Sequence, residues 1–550
     1  MVSVMASLFL VALDQTIIST ALGKIVEEFN AFSSLGLIVT AYLLTTTVTV
    51  PIAGKLSDLF GRRRLLLIGV TVFGIGSLFS GMAGDIDMLI YARAIQGIGG
   101  GIITANAFTI VGDLFAPRER GKWQGMIGAV FGLSSLVGPL LGGYLTDGNN
   151  ILGAVTDWRW TFFINVPVAI VAFVVIAIYC PSLKHPLKAK IDYIGASLLT
   201  LMLATLVLAV DNTGTIFAGL LDATGLSLTA LRVILFSIVA IAVAAFVYVE
   251  RRADEPILPL RFFKNANFSK IMGIAMLFGA AFLGAILYLT QFNQQVFGAT
   301  PTESGLMLLP MIGGLMLTSV GGGQVISRTG RYKIFMQIGI ITAMVMMFSL
   351  VSLTPESSYL QEAIIITLLG AGLGIVMPIM NLAVQNEFEQ RDLGVATSSS
   401  QLFRGLGSTI GVAIFGALLT TGVTTALDPN IQQNDPYLQT LAKTEQVKRI
   451  GSLDNTNTLL TLNTNDVKQR IRDAFTEQTK ALPAAARERA TTSFIESQNE
   501  YSSKITHAFS TSLHAIFIVA ASLMAAGAVL VFTLKERELK GHAGDTPGIA

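Results

Sequence analysis

The chain has 550 residues, of which 52% are hydrophobic and 13% are charged, and its mean hydropathy is +0.65. A soluble domain carries about 25% charged residues, so the composition excludes an ordinary soluble protein and indicates one that lipid solvates. The net charge of +2 is too small to indicate a partner, and the single cysteine, Cys180, excludes an intrachain disulfide and a cysteine-rich metal site.

Apolar runs long enough to cross a bilayer, about 20 residues each, follow one another along most of the chain. In chain order they are 2–22, 35–57, 65–83, 87–111, 123–145, 160–181, 191–211, 229–249, 268–293, 303–326, 334–353, 360–385, 396–421 and 508–533. The sequence therefore predicts an all-α integral membrane protein with about 14 transmembrane helices, here called helices 1–14. The first run has no basic flank and no small-residue cleavage site, so we expect a retained helix rather than a signal peptide.

The charges of the short loops alternate along the chain. The basic loops and tail contain Arg62, Arg63, Arg64, Arg118, Arg120, Lys122, Lys184, Lys188, Lys190, Arg251, Arg252, Arg261, Lys264, Arg328, Arg331, Lys333, Lys535, Arg537 and Lys540. The loops between them are acidic or nearly neutral. Because cytoplasmic loops are enriched in Lys and Arg, we expect both termini in the cytoplasm of a multi-pass protein of the plasma membrane.

One long polar segment, residues 423–505, separates helices 13 and 14 on the side opposite the basic loops. Within it Val467, Ile471 and Phe475 are four residues apart, which favours an amphipathic helix in the stretch Asn465 to Leu482. Two interpretations remain open: an external, partly helical hairpin without chemistry, or a segment that gates the protein or contacts lipid.

Two sequence patterns occur twice and indicate an internal repeat. Gly54 to Arg64, which closes helix 2 and opens helix 3, has a weaker copy in Gly323 to Lys333 between helices 10 and 11, and the glycines of helix 4 recur in helix 12. Repeated bundles are typical of transporters with a site at the bundle interface. The predicted units are 1–182 (first six-helix bundle), 183–256 (inserted helices 7 and 8), 257–422 (helices 9–13), 423–505 (outer loop), 506–538 (helix 14) and 539–550 (cytoplasmic tail).

Two charged residues fall inside apolar runs of the first bundle. A carboxylate at bilayer depth is costly, so Asp14 is expected to face a wet cavity, a partner or a transported proton; the alternative is a structural hydrogen bond to Thr16 or a neighbouring helix. Arg93 cannot readily lose its proton and is expected to approach Asp14 or the proton path. The alternative for Arg93 is a side chain that extends towards the membrane surface.

Two glycine-containing motifs adjoin the basic loops and helix 5. In the first, Gly54, Asp58, Gly61 and Arg62 predict an ion network that closes the cytoplasmic side, against the alternative of a solvated basic loop. In the second, Gly132, Gly138, Pro139, Gly142 and Gly143 predict a kinked helix with a small face, or simply ordinary helix packing.

These residues resemble the major facilitator superfamily, in particular its 14-helix drug:proton antiporter branch. The similar stretches are Leu13 to Ile17, Gly54 to Arg64, Leu89 to Gly99, Gly132 to Gly143 and Asp157 to Pro167, and helix 1 departs mildly, reading I-S-T-A-L-G where the family usually has V-N-V-A-L-P. The resemblance implies two six-helix bundles plus two inserted helices, and its helix-5 motif implies an exporter. Apart from Glu303 at the very start of helix 10, helices 10 and 13 carry no acid, which argues against a preference for divalent cations.

The resemblance implies a substrate pocket between helices 1, 2, 4, 5, 9, 10, 12 and 13. Methionines and aromatic rings there suit varied apolar ligands, although packing or lipid contact is the favoured explanation for each residue taken alone. The candidates are Tyr42, Asn106, Phe278, Tyr288, Gln291, Phe292, Gln295, Met307, Met311, Met377, Asn381 and Gln385.

The leading functional expectation is proton-coupled multidrug efflux, a drug:H⁺ antiport that contributes to antibiotic resistance. Its substrates would be small hydrophobic or cationic drug-like compounds, and the proton gradient would replace any cofactor or metal. An exporter or flippase of lipids or fatty acids is the alternative, and a non-transporting sensor or scaffold is a third reading. No nucleotide-binding P-loop or metal-ligand cluster is present in the sequence, so we do not expect an enzyme. We expect a monomer that binds no nucleic acid.

Overall fold

The computed structural model describes residues 1–29, 35–146, 148, 150–151, 154–180, 192–210, 213–299, 301–389, 392–426, 435–442, 462–463, 465–481 and 483–539. Within these residues the chain is almost entirely helical, as predicted, and the exception is one short hairpin of strands β1 (Asn150–Ile151) and β2 (Ala154–Val155). Thirteen of the described helical segments are long and apolar enough to cross a membrane, and the first helix adds a shorter apolar stretch, Ser3–Ile18. A count of 14 spans therefore remains a prediction.

The described residues of the first half form seven helices. They are α1 (Val2–Phe29), α2 (Leu35–Phe60), α3 (Arg62–Gly81), α4 (Ile86–Leu114), α5 (Pro117–Thr146), α6 (Trp160–Phe163) and α7 (Asn165–Tyr179). The predicted helix 6 is thus divided into α6 and α7. Pro167 explains the division, because it has no N–H to donate to the carbonyl of Phe163 four residues earlier.

The middle of the chain forms four helices, two of them short. They are α8 (Tyr193–Val210), α9 (Thr213–Ile216), α10 (Ala218–Thr224) and α11 (Leu228–Glu250). The long helices α8 and α11 pack on each other, and α8 also packs on α2 and on the later helix α17 (Leu393–Ala426). The inserted pair therefore lies against both halves of the protein. The predicted boundary at 182/183 falls outside the described residues.

The second half contains the remaining helices of the described chain. In addition to α17 they are α12 (Ala266–Gln295), α13 (Pro301–Met307), α14 (Leu309–Thr329), α15 (Lys333–Ser349), α16 (Tyr359–Glu387), α18 (Pro436–Ala442), α19 (Asn465–Gln478) and α20 (Ala484–Phe532), with 3₁₀ turns at Leu260–Lys264, Leu350–Ser352 and Thr479–Ala481. Local chemistry sets several ends. The side chains of Asn265 and Ser358 cap α12 and α16, and Gly330 ends α14 in a left-handed conformation with φ of 69°.

The last helix differs from the prediction. Helix 14 was expected at 508–533, but α20 is a continuous helix of 49 residues that begins at Ala484. The predicted boundary between 505 and 506 therefore lies inside one helix. The missed part is polar, and hydrophobicity alone detects the apolar portion of such a helix but not its polar extension.

Helix packing brings the two halves together along α5. This helix packs on α1 of its own half and on α14 and α16 of the second half. In return, α17 packs on α2 and α4 of the first half. The buried interior therefore lies between α1, α2, α4 and α5 on one side and α14, α16 and α17 on the other.

Candidate functional site

The carboxylate of Asp14 on α1 is completely buried and is bound by side chains from two other helices. Arg93 Nη1 on α4 donates to Asp14 Oδ2 at 2.6 Å, and Gln96 Nε2 donates to Oδ1 at 2.8 Å. Asn165 Nδ2, at the start of α7, donates to the same Oδ1 at 2.9 Å. Arg93 Nη1 also lies 2.8 Å from Gln96 Oε1. The structure thus brings Asp14 and Arg93 together as an ion pair held by two amides.

Aromatic rings enclose the guanidinium of this pair. The Arg93 guanidinium carbon lies 4.4 Å from the ring centre of Tyr42 and 5.7 Å from that of Phe162, distances at which the ring faces attract a cation. A Cβ at Gly100 would lie only 2.7 Å from the Tyr42 hydroxyl, so glycine allows α2 to lie this close to α4. Tyr42, a pocket candidate, therefore packs on the ion pair.

A second buried ion network lies at the basic-loop end of the first half. Arg62 Nε donates to Asp113 Oδ2 at 2.7 Å, and its other nitrogens contact Asp58 and Ser57. The Asp58 carboxylate touches α17 so closely that a Cβ at Gly394 would overlap it. Because the first turn of a helix carries partial positive charge, Asp58 joins the first half to the N-terminus of a helix of the second half.

Further hydrogen bonds connect the halves at this same end. Lys122 N donates to Ser327 Oγ at 3.0 Å, and Gln385 Nε2 donates to the carbonyl of Phe108 at 3.0 Å. The guanidinium of Arg120 also donates to the Gln385 carbonyl, at 3.4 Å. The basic-loop end is therefore closed in this structure. Gly61, between α2 and α3, has φ of 91°, a conformation that favours glycine, and Gly54 lies against Ser398 of α17.

The glycines of α5 form two different contacts. Gly121, Gly125, Gly128 and Gly132 lie on one face and pack on α14, where Ser319 Oγ donates to the Gly125 carbonyl at 3.0 Å. Gly138 instead packs on Thr16 of α1, and a Cβ at Gly143 would meet no atom within 4 Å. Gly142 and Pro139 lie in α5, and the side chain of Pro139 is outside the described part of the chain.

Three of the pocket candidates form a polar row with residues of α17. Met377, Asn381 and Gln385 are four residues apart on α16. Gln401 Nε2 donates to Asn381 Oδ1 at 2.9 Å, and Arg404 Nη2 donates to Gln401 Oε1 at 2.6 Å. The thioether sulfur of Met377 lies 3.9 Å from Arg404 Nη1. These three are the pocket candidates that the structure brings together, and their role in binding remains a prediction.

The other pocket candidates are dispersed. Tyr288 donates to the carbonyl of Val412 at 3.2 Å, and Phe292 packs on Phe517 of α20 with ring centres 6.2 Å apart. Asn106 donates to the carbonyl of Ile102 in its own helix at 2.8 Å. The remaining candidates lie apart from the row: Phe278 and Met311 are buried, and Gln291, Gln295 and Met307 are half-buried.

A charged cluster lies at the end opposite the basic loops. Arg159 binds Glu28 at 2.8 Å and Asp157 at 3.3 Å, and Trp158 Nε1 donates to Glu28 at 2.6 Å. The hydrogen bond from Arg159 holds the pKa of Glu28 below its usual value. An adjoining cavity of about 310 Å³ is lined by Lys24, Glu28, Thr146, Thr156, Asp157 and Trp158. This cluster connects the end of α1 to the start of α6.

Sequence reasoning missed several polar residues of these networks. Gln96 and Asn165 lie within the stretches that resemble the family. Their contacts with Asp14 span three helices, and spacing along one helix cannot reveal such contacts. Asp113 falls just beyond the predicted helix 4. Glu362, in the first turn of α16, is fully buried beside Asn293 of α12, and its position near a helix end concealed its burial.

Comparisons with known sequences identify a family and several relatives. The model of the Major Facilitator Superfamily matches residues 4–412. The chain is 34% identical over 551 residues to the multidrug transporter protein MdtP of Bacillus subtilis (strain 168), which covers 98% of this chain and 93% of that protein. It is 36% identical over 418 residues to Multidrug resistance protein 3 of the same organism, covering 76% of this chain and 78% of that protein.

Solved structures share the fold at low sequence identity. The human organic anion transporter MFSD10 (TETRAN) superposes with a TM-score of 0.57 at 15% identity, covering 76% of this chain and 92% of that one. The proton:xylose symporter XylE, bound to 6-bromo-6-deoxy-D-glucose, gives a TM-score of 0.55 at 15% identity, covering 77% of this chain and 89% of that one. At this identity the likeness concerns the fold alone.

Proposed function

Because this chain belongs to the Major Facilitator Superfamily and is a multi-pass membrane transporter, we propose that it exports amphipathic, hydrophobic compounds by proton antiport. The observation that carries the proposal is the buried carboxylate of Asp14, held by Arg93, Gln96 and Asn165. A proton is the smallest partner that can neutralise a carboxylate in such a closed site. Two relatives named as multidrug proteins support the choice of substrate class.

The proposed cycle uses the two ion networks at different steps. A proton that enters from the outer side neutralises Asp14 and releases Arg93 from its ion pair. The two halves then rock about the interface between α5 and α14, as repeated bundles do in such transporters, and the contacts of Asp58 with α17 break as the basic-loop end opens. Release of the proton to the cytoplasm restores the ion pair, and the bound compound leaves when the outer side opens again.

The proposed orientation follows from charge. The basic loops face the cytoplasm of a cell whose plasma membrane holds the protein, so both termini are cytoplasmic as well. The closed end in this structure is then the cytoplasmic end. Export of antibiotics in this orientation would confer resistance on the cell.

Replacement of Asp14 tests the coupling. Asp14→Asn keeps the size of the side chain and removes the group that takes the proton, so proton-driven efflux from proteoliposomes should fall on the order of a hundredfold or more, the scale of losing an essential proton-transfer group. Glu28→Gln is the matched control, since it is the same change on the same helix, at a partly exposed side chain. Proton-driven efflux by Asp14→Asn at the wild-type rate would rule out coupling through this carboxylate.

A further inference from the structure

The buried interior of the second half contains a guanidinium without an acidic partner. Arg404 is half-buried on α17, and its neighbours are the neutral side chains of Gln401 and Met377. In the described part of the chain, no carboxylate lies within 4 Å of its guanidinium. This contrasts with Arg62 and Arg93, which both bind buried carboxylates directly.

Arg404 lies at mid-membrane depth and at the interface of the two halves. It is 11 residues after the start of α17 at Leu393, a rise of about 16 Å along a helix, or roughly half of a hydrocarbon core about 30 Å thick. The next residue, Gly405, faces Thr47 at the middle of α2, where a Cβ would lie 3.6 Å from the Thr47 methyl group. Arg404 therefore adjoins the residue through which α17 meets α2 of the first half.

A permanent charge at this depth requires compensation. An arginine keeps its proton under all ordinary conditions, and an uncompensated charge at the centre of a bilayer is costly. The amide of Gln401 accepts one hydrogen bond from Arg404 at 2.6 Å, but an amide carries no net charge. The charge of Arg404 must then be compensated by water or by an anionic ligand, neither of which the described chain supplies.

We propose that Arg404 is the binding group for an anionic substituent, a carboxylate or sulfonate, on the amphipathic compounds that this protein exports. The planar fork of a guanidinium matches such groups in geometry as well as charge. Asn381 and Met377, at one side of Arg404, supply an amide and a polarisable thioether for the remainder of the molecule. The inference rests on the proposed export function. It favours anionic substrates, whereas the sequence analysis expected hydrophobic or cationic compounds.

The test uses a pair of probes that differ by one charged group. Anilinonaphthalene sulfonate and N-phenylnaphthylamine share one aromatic skeleton, and only the first carries the sulfonate; ethidium serves as the cationic probe. Flux of each is measured in proteoliposomes that contain the full chain and have an imposed proton gradient. The wild-type protein should move the sulfonate at least as fast as the neutral compound and well ahead of ethidium.

Variants of Arg404 should change the charge preference selectively. Arg404→Gln should lower sulfonate flux on the order of tenfold or more, the scale of one lost charged hydrogen bond, and leave flux of N-phenylnaphthylamine within about twofold. That unchanged flux also shows that the variant is folded. Arg404→Lys should retain much of the sulfonate flux. Arg261→Gln is the matched control, because Arg261 is 62% exposed and pairs with Asp392 in the same half.

The outcomes separate this inference from the proposed function. A ratio of sulfonate to neutral flux that Arg404→Gln leaves unchanged would overturn the inference and leave export standing. Transport of N-phenylnaphthylamine and ethidium without the sulfonate would do the same. Flux of none of the three probes would overturn the proposed export function and the inference with it.

Discussion

At the scale of single residues, the buried charges of Asp14 and Arg93 form an ion pair whose net charge is zero. Either charge alone at this depth would cost several kcal/mol, and the pair is tolerated because each partner is also hydrogen-bonded, to Gln96 in both cases. The same arrangement explains how one proton can have a large effect. When Asp14 is neutral, Arg93 is left as a buried cation, and the local structure must rearrange.

A double-variant cycle measures this mutual dependence. Arg93→Gln should lower the free energy of unfolding by about 3–5 kcal/mol, because it leaves the Asp14 carboxylate buried and uncompensated. Asp14→Asn combined with Arg93→Gln should recover most of that loss, although transport stays inactive. Unfolding of each variant is measured by heating it with a thiol-reactive dye that labels Cys180. This residue is the single cysteine of the chain and is only 5% exposed in the folded protein. Additive losses in the double variant would contradict a coupled pair.

At the scale of helices, the small face of α5 determines how closely the halves approach. Gly121, Gly125, Gly128 and Gly132 recur at intervals of four, three and four residues, the spacing of one helix face, and α14 lies directly on them. Small residues are the usual means of close helix contact in membranes. Since α5 and α14 belong to different halves, the proposed cycle requires this contact to slide or tilt.

Two leucine substitutions on α5 distinguish this contact from general packing. A Cβ at Gly125 would overlap the Ser319 backbone carbonyl, so Gly125→Leu should destabilise the protein by about 1–3 kcal/mol and abolish transport of N-phenylnaphthylamine. A Cβ at Gly143 would meet no atom within 4 Å, so Gly143→Leu should retain both stability and flux. Equal effects of the two variants on flux would refute the special role of the α5–α14 contact.

At the scale of the whole molecule, charged and amide side chains connect the two halves at the basic-loop end. Asp58 meets the start of α17, and Gln385 bridges α16 to α4. The superfamily fold predicted from the motifs is confirmed by the family match and by the superposed structures. In the proposed cycle, the structure corresponds to the state in which this end is shut.

Loss of Asp58 should shift the protein towards the other access state. Asp58→Ala removes the contact with α17, so Thr397→Cys, at a fully buried position on α17, should react faster with a membrane-impermeant maleimide added on the basic-loop side. Glu255→Gln is the control. Glu255 pairs with Lys55 of α2, and the described structure shows no ion pair between Glu255 and α17. Unchanged labelling of Thr397→Cys would show that Asp58 does not hold this end closed.

The sequence predicted those features that one helix or one motif determines. The ion pair of Asp58 with Arg62 follows from an interval of four residues, and Asp14 was recognisable because an acid is rare in an apolar run. The contact of Arg62 with Asp113, and that of Asp14 with Asn165, depend on how separate helices pack, which local pattern does not encode. For the same reason the pocket candidates could be named by residue type but not selected. Arg404 was visible as a charge in the apolar run 396–421, but the absence of an acid near it depends on the packing of separate helices in the described structure.

The unbroken helix α20 has a mechanical consequence. Its 49 residues extend about 74 Å, more than twice the thickness of a hydrocarbon core of about 30 Å, and its outer portion packs on α18 and α19 through Tyr437, Phe475 and Phe494. A stiff rod that is anchored in the second half at one end cannot tilt there without swinging the other end. A tilt of the second half would therefore displace the outer end of α20, and α18 and α19 with it, well beyond the surface of the membrane.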